Sequence, residues 1–112
     1  MKVLLDVGVS PRLRQPLQQQ LGGVAVESAV YHDWRSLPDG ELLTVAERAG
    51  FTTLVTADKR MTAEQRLPPI AIITVDNNSL GGLVAAVSTI ADAIRSTLPG
   101  ESRLVPVARV RR

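Results

Sequence analysis

The chain has 112 residues, enough for one domain, and 45% of them are apolar, so its composition supports a real core. It has no cysteine, which excludes a disulfide framework, thiolate zinc sites and cysteine nucleophiles. The formal charge of +2 is unevenly spread: residues 103–112 hold four arginines and no acid, leaving nine bases against eleven acids before them.

Val3-Leu4-Leu5 is a short apolar run that ends at Asp6 and reads as a buried strand. Ser10-Pro11 is a helix start, and Leu13, Leu17 and Leu21 recur on one helical face. Pro16 should bend or split that helix, and Gly22-Gly23 should end it. Val24-Ala25-Val26 reads as a second strand, and residues 27–38 as a loop with Tyr31, His32, Asp33 and Trp34. A helix follows over 39–49, with Leu42, Leu43, Ala46 and Ala49 inward and Gly50 as its stop. Thr53 to Thr56 is a third strand, running out to Ala57-Asp58. Thr62 and Gln65 have capping-box spacing for a short helix, closed by Pro68-Pro69. Ile70 to Val75 is the clearest strand and ends at Asp76. Asn78 or Ser79 can cap a last helix whose buried stripe is Leu83, Val87, Ile90 and Ile94; Pro99-Gly100 ends it. Residues 103–107 read as a final strand, placed at an edge by Pro106.

Strands alternating with helices predict an α/β domain with a parallel sheet covered by helices on both faces. With only Tyr31, Trp34 and Phe51 as aromatics, the core must be aliphatic, as in doubly covered parallel sheets. The chain meets an acid too early for a signal peptide and has no apolar run of membrane-spanning length, so a cytoplasmic, non-membrane protein is expected.

Three strands run into an aspartate: Asp6, Asp58 and Asp76. In a parallel sheet these share the carboxyl edge, where open α/β folds bind ligands. Asp39 and Glu41 open the second helix on the same side. Gathered carboxylates repel unless a cation sits among them, and oxygen-only donors suit Mg²⁺ or Mn²⁺. The alternative is that each aspartate caps a helix or turns the chain. That reading is strongest for Asp76, which precedes Asn77-Asn78. Thr56 is placed to orient Asp58. His32, the only histidine, is a candidate for RNA contact or acid–base work but reads better as an ordinary loop residue; with no second histidine it does not suit a transition-metal centre. Trp34 is placed either to stack on a base or to pack its loop onto the sheet. Lys59, Arg60 and the arginine tail are candidates for phosphate contact.

These residues carry a resemblance that spans nearly the whole chain. Leu4-Leu5-Asp6, Trp34, Asp39-Gly40-Glu41-Leu42-Leu43 with Ala46, and above all Leu54-Val55-Thr56-Ala57-Asp58-Lys59 occur in order. Gln65, the Pro69 to Thr74 stretch and Asn78-Ser79-Leu80 follow them. Together they resemble the PIN-like DUF5615 domains, small relatives of the PIN ribonucleases of toxin–antitoxin operons. The resemblance implies a PIN-like domain over residues 1–102, with 103–112 as edge strand and basic tail. It implies Mg or Mn held by Asp6, Asp58 and Glu41, with Asp39 as alternate, and Asp6, Glu41 and Asp58 as the catalytic acids. Lys59 and Arg60 would contact RNA. An antitoxin protein and a homodimer are the implied partners.

Two positions depart from the family pattern. Val7 stands where an acid usually follows the first aspartate, and Arg60 stands where many members have an acid or asparagine. They define a second reading: a catalytically degenerate module that works through protein–protein binding. A receiver domain would also place aspartates at strand ends. The chain lacks that fold's late-strand lysine and the acidic pair after its first strand.

Overall fold

The structure is a computed structural model and describes residues 1–64 and 68–107. Gln65 and the tail residues Arg109, Arg111 and Arg112 lie outside the described residues. The elements run β1 (Lys2–Leu5), α1 (Arg14–Gln20), β2 (Ala25–Ser28), α2 (Asp39–Arg48), β3 (Thr53–Thr56), α3 (Lys59–Glu64), β4 (Ala71–Val75), α4 (Leu80–Ala85), α5 (Val87–Ser96) and β5 (Ser102–Val105). All five strands are parallel, in the order β2-β1-β3-β4-β5.

The alternation of side chains along each strand divides the core in two. Val3, Leu5, Val55, Ile73 and Val75 face α1, α4 and α5, and pack on Leu13, Leu17, Leu83, Ile90 and Ile94. Leu4, Leu54 and Ile72 face the other way and pack on Leu42, Leu43 and Ala46 of α2, with Phe51, Met61 and Ile70. Helices therefore cover both faces, which is why the central strands are apolar at successive positions rather than at alternate ones. No helix among the described residues is long and apolar enough to cross a membrane.

Several local features follow from the sequence chemistry. Gly22, Gly23 and Gly50 take φ of +71°, +92° and +90° just after α1 and α2, the backbone state that ends a helix without a Cβ clash. Pro16 does not break its segment as expected: a 3-10 turn at Pro11–Leu13 runs directly into α1, and Pro16 falls in the first turn of α1, where its missing N–H costs nothing. The last helix is two pieces, broken at Ala86. Four further expectations shift. β2 runs on to Ser28, so the following loop is shorter and begins with a 3-10 turn at Ala29–Tyr31. Ala49 caps α2 and is exposed rather than inward. Ser79 precedes α4 without a side-chain capping bond. The short helix α3 begins at Lys59, placing Thr62 inside it; its start is set by Asp58, whose Oδ1 accepts the Arg60 N–H at 3.0 Å.

Candidate functional site

The chain leaves β1 for β2 on one side and returns past β1 to β3 on the other. The carboxyl ends of β1 and β3 are thus the point where the strand order reverses, the place where doubly wound sheets open a ligand crevice. Asp6 follows β1 and Asp58 lies two residues beyond β3, so topology alone brings both to this point.

Thr56 joins them. It is fully buried at the end of β3. Its hydroxyl donates to Asp6 Oδ2 at 2.7 Å and accepts the Asp58 backbone N–H at 3.0 Å. The sequence pointed to Thr56 as an orienting residue for Asp58. The carboxylate it holds is that of Asp6, and at Asp58 it holds the backbone. Asp6 Oδ1 also accepts the Val7 N–H at 2.9 Å, so both oxygens of Asp6 are fixed and neither is used in an ion pair among the described residues.

The Asp58 carboxylate faces Arg60, with Nε at 3.3 Å from Oδ1 and Nη2 at 3.5 Å from Oδ2. The Arg60 side chain, then its backbone N–H, hold the Asp58 carboxyl below its ordinary range, against a smaller opposing effect of burial. Arg60 is 82% exposed, so this pair sits in water and is weak.

The other acids go elsewhere. Glu41 is exposed on the outer face of α2, beside Thr44, Val45 and Arg48 in a shallow groove of about 540 Å³. Asp39 is half-buried at the first position of that helix. No three acidic or histidine side chains gather into a metal-holding group among the described residues. Asp76 is structural: its Oδ1 accepts the Val107 N–H at 2.7 Å and ties the chain after β5 to the end of β4. Asn77 turns the chain by accepting the Ser79 N–H at 2.8 Å, and Asn78 donates to Gly8 O at 3.3 Å, linking the loops after β4 and β1. Lys59 lines a cleft of about 200 Å³ with Thr74, Ser102, Arg103 and Leu104, on the β5 side.

His32 and Trp34 form a second cluster at the β2 side. Trp34 stacks on His32 at 4.3 Å and meets the Phe51 ring edge-on at 6.0 Å, packing the loop onto the sheet. His32 Nε2 lies 2.9 Å from Glu27 Oε1, and Lys2 Nζ lies 3.4 Å from Glu27 Oε2 and 4.3 Å from the Phe51 ring centroid. This histidine is a packing residue with a carboxylate partner.

The fold and site together define a small doubly wound α/β domain with two aspartates joined through one threonine at its switch point. Compared with known proteins, the chain matches no family model, no curated protein and no solved structure.

Proposed function

We propose that this domain is a PIN-like, Mg- or Mn-dependent endoribonuclease whose cation is held by Asp6 and Asp58. The observation that carries the reading is the convergence of these two carboxylate-bearing residues on Thr56 at the strand-order reversal. The donor set fits a hard cation. Mg²⁺ is commonly held by one or two carboxylates, with waters and substrate phosphate completing its shell, so a third acid is not required. When bound, the cation would supply charge neutralisation at the phosphodiester and water activation near neutral pH. The chain's own part is positional. Thr56 and the Val7 N–H hold the Asp6 carboxylate in one orientation. The Arg60 N–H and guanidinium hold that of Asp58 and keep it ionised. Lys59 and Arg60 would meet the RNA backbone. A toxin of this kind would act in the cytoplasm under the control of an antitoxin protein, as a monomer or a homodimer.

A second reading is favoured by two features. The Arg60–Asp58 ion pair, together with Val7 at the position after Asp6, supports a degenerate PIN-like module that acts by protein–protein binding. Cleavage of a mixed RNA pool with Mg²⁺ or Mn²⁺ separates the two. Asp6→Asn and Asp58→Asn should abolish cleavage, as should a chelator. Glu41→Gln should retain it, because Glu41 stands on the outer face of α2. Cleavage that is absent in wild type, or as strong in the two aspartate variants as in wild type, overturns the enzyme reading in favour of the module.

A further inference from the structure

A cleft of about 450 Å³ opens between the turn that follows β1 and the turn that follows β2, lined by Pro11, Arg12, Arg14, Gln15 and Tyr31. Both turns leave the carboxyl ends of adjacent strands, so the cleft lies at the same edge as Asp6, on the β2 side. Three observations point to a ligand. Tyr31 presents its ring to solvent at 75% exposure, next to a core that takes in the other two aromatics. Arg12 and Arg14 are exposed and form no ion pair among the described residues. Arg14 also opens α1, whose first turn has no acid, where the peptide dipoles disfavour a cation. A residue that breaks a local preference without a compensating partner is a mark of function.

We propose that this cleft is a binding subsite for one nucleotide unit of a single-stranded polynucleotide. Tyr31 stacks on the base, and Arg12 and Arg14 take the adjoining phosphate through charge-assisted hydrogen bonds. The subsite deepens the ribonuclease reading and rests on it for the substrate class: it would anchor the strand beside the Asp6–Asp58 pair, on the side away from Lys59 and Arg60. Shape follows from the same chemistry. A base must be unstacked to lie on Tyr31, so a duplex does not fit.

The test is binding of a fluorescent single-stranded RNA of mixed sequence, read by anisotropy in chelator so that no cleavage occurs. The same sequence is run in parallel as single-stranded DNA and as duplex. Tyr31→Ala should weaken single-strand binding about tenfold and Tyr31→Phe should not, because the stacking face is kept. The double variant Arg12→Gln/Arg14→Gln should lower the slope of log affinity against log salt by about 0.7, the value for the one phosphate that the two arginines together neutralise. All three positions carry exposed side chains, so folding is preserved and circular dichroism verifies it. Wild-type affinity and slope in all these variants, equal binding of duplex, or no wild-type binding up to about 100 µM, the weak end of non-specific association, would overturn the subsite. Binding with these signatures but no cleavage in Mg²⁺ or Mn²⁺ would keep the subsite and sink the nuclease. Cleavage with unaltered binding in the variants would do the reverse.

Discussion

Thr56→Val tests the geometry of the acidic pair without touching a carboxylate. Valine has the same shape, so the fully buried site keeps its packing and loses only the hydroxyl. Two bonds go with it, the 2.7 Å donation to Asp6 and the 3.0 Å acceptance from the Asp58 N–H. A hydrogen bond to an ionised group contributes about 1.5–3 kcal/mol, and a neutral one about 0.5–1.5. Asp6 and Asp58 are both half-exposed, so water recovers part of each loss. The expected cost is about 2 kcal/mol. A domain of 112 residues unfolds with an entropy of about 0.24 kcal/mol/K, so the midpoint should fall by about 8 °C. Thermal and urea melts measure this, with Thr56→Ser as the partner variant. Serine keeps the hydroxyl and loses a methyl, so it should cost about 1 kcal/mol and leave the two bonds intact. If Thr56→Val melts within about 2 °C of wild type, a shift too small for even one such bond, the hydroxyl does not hold Asp6.

Two further outcomes follow from the charges. Burial opposes ionisation of Glu27, but the hydrogen bonds and charges of His32 and Lys2 outweigh it, so its carboxyl titrates below the ordinary 4.5. A depressed folded-state value stabilises the fold above the unfolded value and is lost as pH falls through the folded one. Glu27→Gln should therefore flatten the stability profile below about pH 4.5; urea titrations at about pH 3 to 7 that superimpose on wild type would show that His32 and Lys2 do not stabilise the Glu27 carboxylate. Arg60→Ala should return the Asp58 carboxyl toward its ordinary 3.8, visible by NMR titration, while changing stability by less than about 0.5 kcal/mol, because the pair is exposed and the backbone cap remains. An unmoved Asp58 titration, or a large loss of stability, would contradict the solvent-screened pair.

The sheet was legible because β1, β3 and β4 are buried on both faces, which forces runs of apolar residues that a periodicity reading detects. The placement of Asp6 and Asp58 beyond strand ends was legible for the same reason: each is the first charge after such a run. The shift in α3 has a different cause. Thr62 and Gln65 have the spacing of a capping box, but a cap acts only where the chain leaves extended backbone, and Asp58 already does that at the end of β3. How Glu41 faces follows from the spacing of α2, although the resemblance counted it among the metal-holding acids. The apolar stripe of α2 fixes which side is buried; Leu42, Leu43 and Ala46 take it, and Glu41 is left on the far side with Thr44 and Arg48. The cleft at Tyr31 carries no local signal at all. Its arginines and its tyrosine belong to segments that follow different strands, and only the pairing of β1 with β2 brings them together.

The helix cap that Asp58 forms does not conflict with the metal-holding role proposed for it. A carboxylate has about four acceptor positions, and the helix cap together with the guanidinium draws mainly on one oxygen. At Oδ2 the Arg60 Nη2 lies at the outer limit of a hydrogen bond. An exposed arginine at that distance can be displaced by a harder cation without unfolding the cap, since the backbone N–H of Arg60 stays on Oδ1. The same arrangement keeps Asp58 ionised when no cation is bound, which is the state a metal ligand requires. The capping bond therefore argues neither for a living site nor for a dead one. The weight rests on Asp6, whose carboxylate is oriented by Thr56 and Val7, has no ion pair among the described residues, and lies at the crevice the strand order creates.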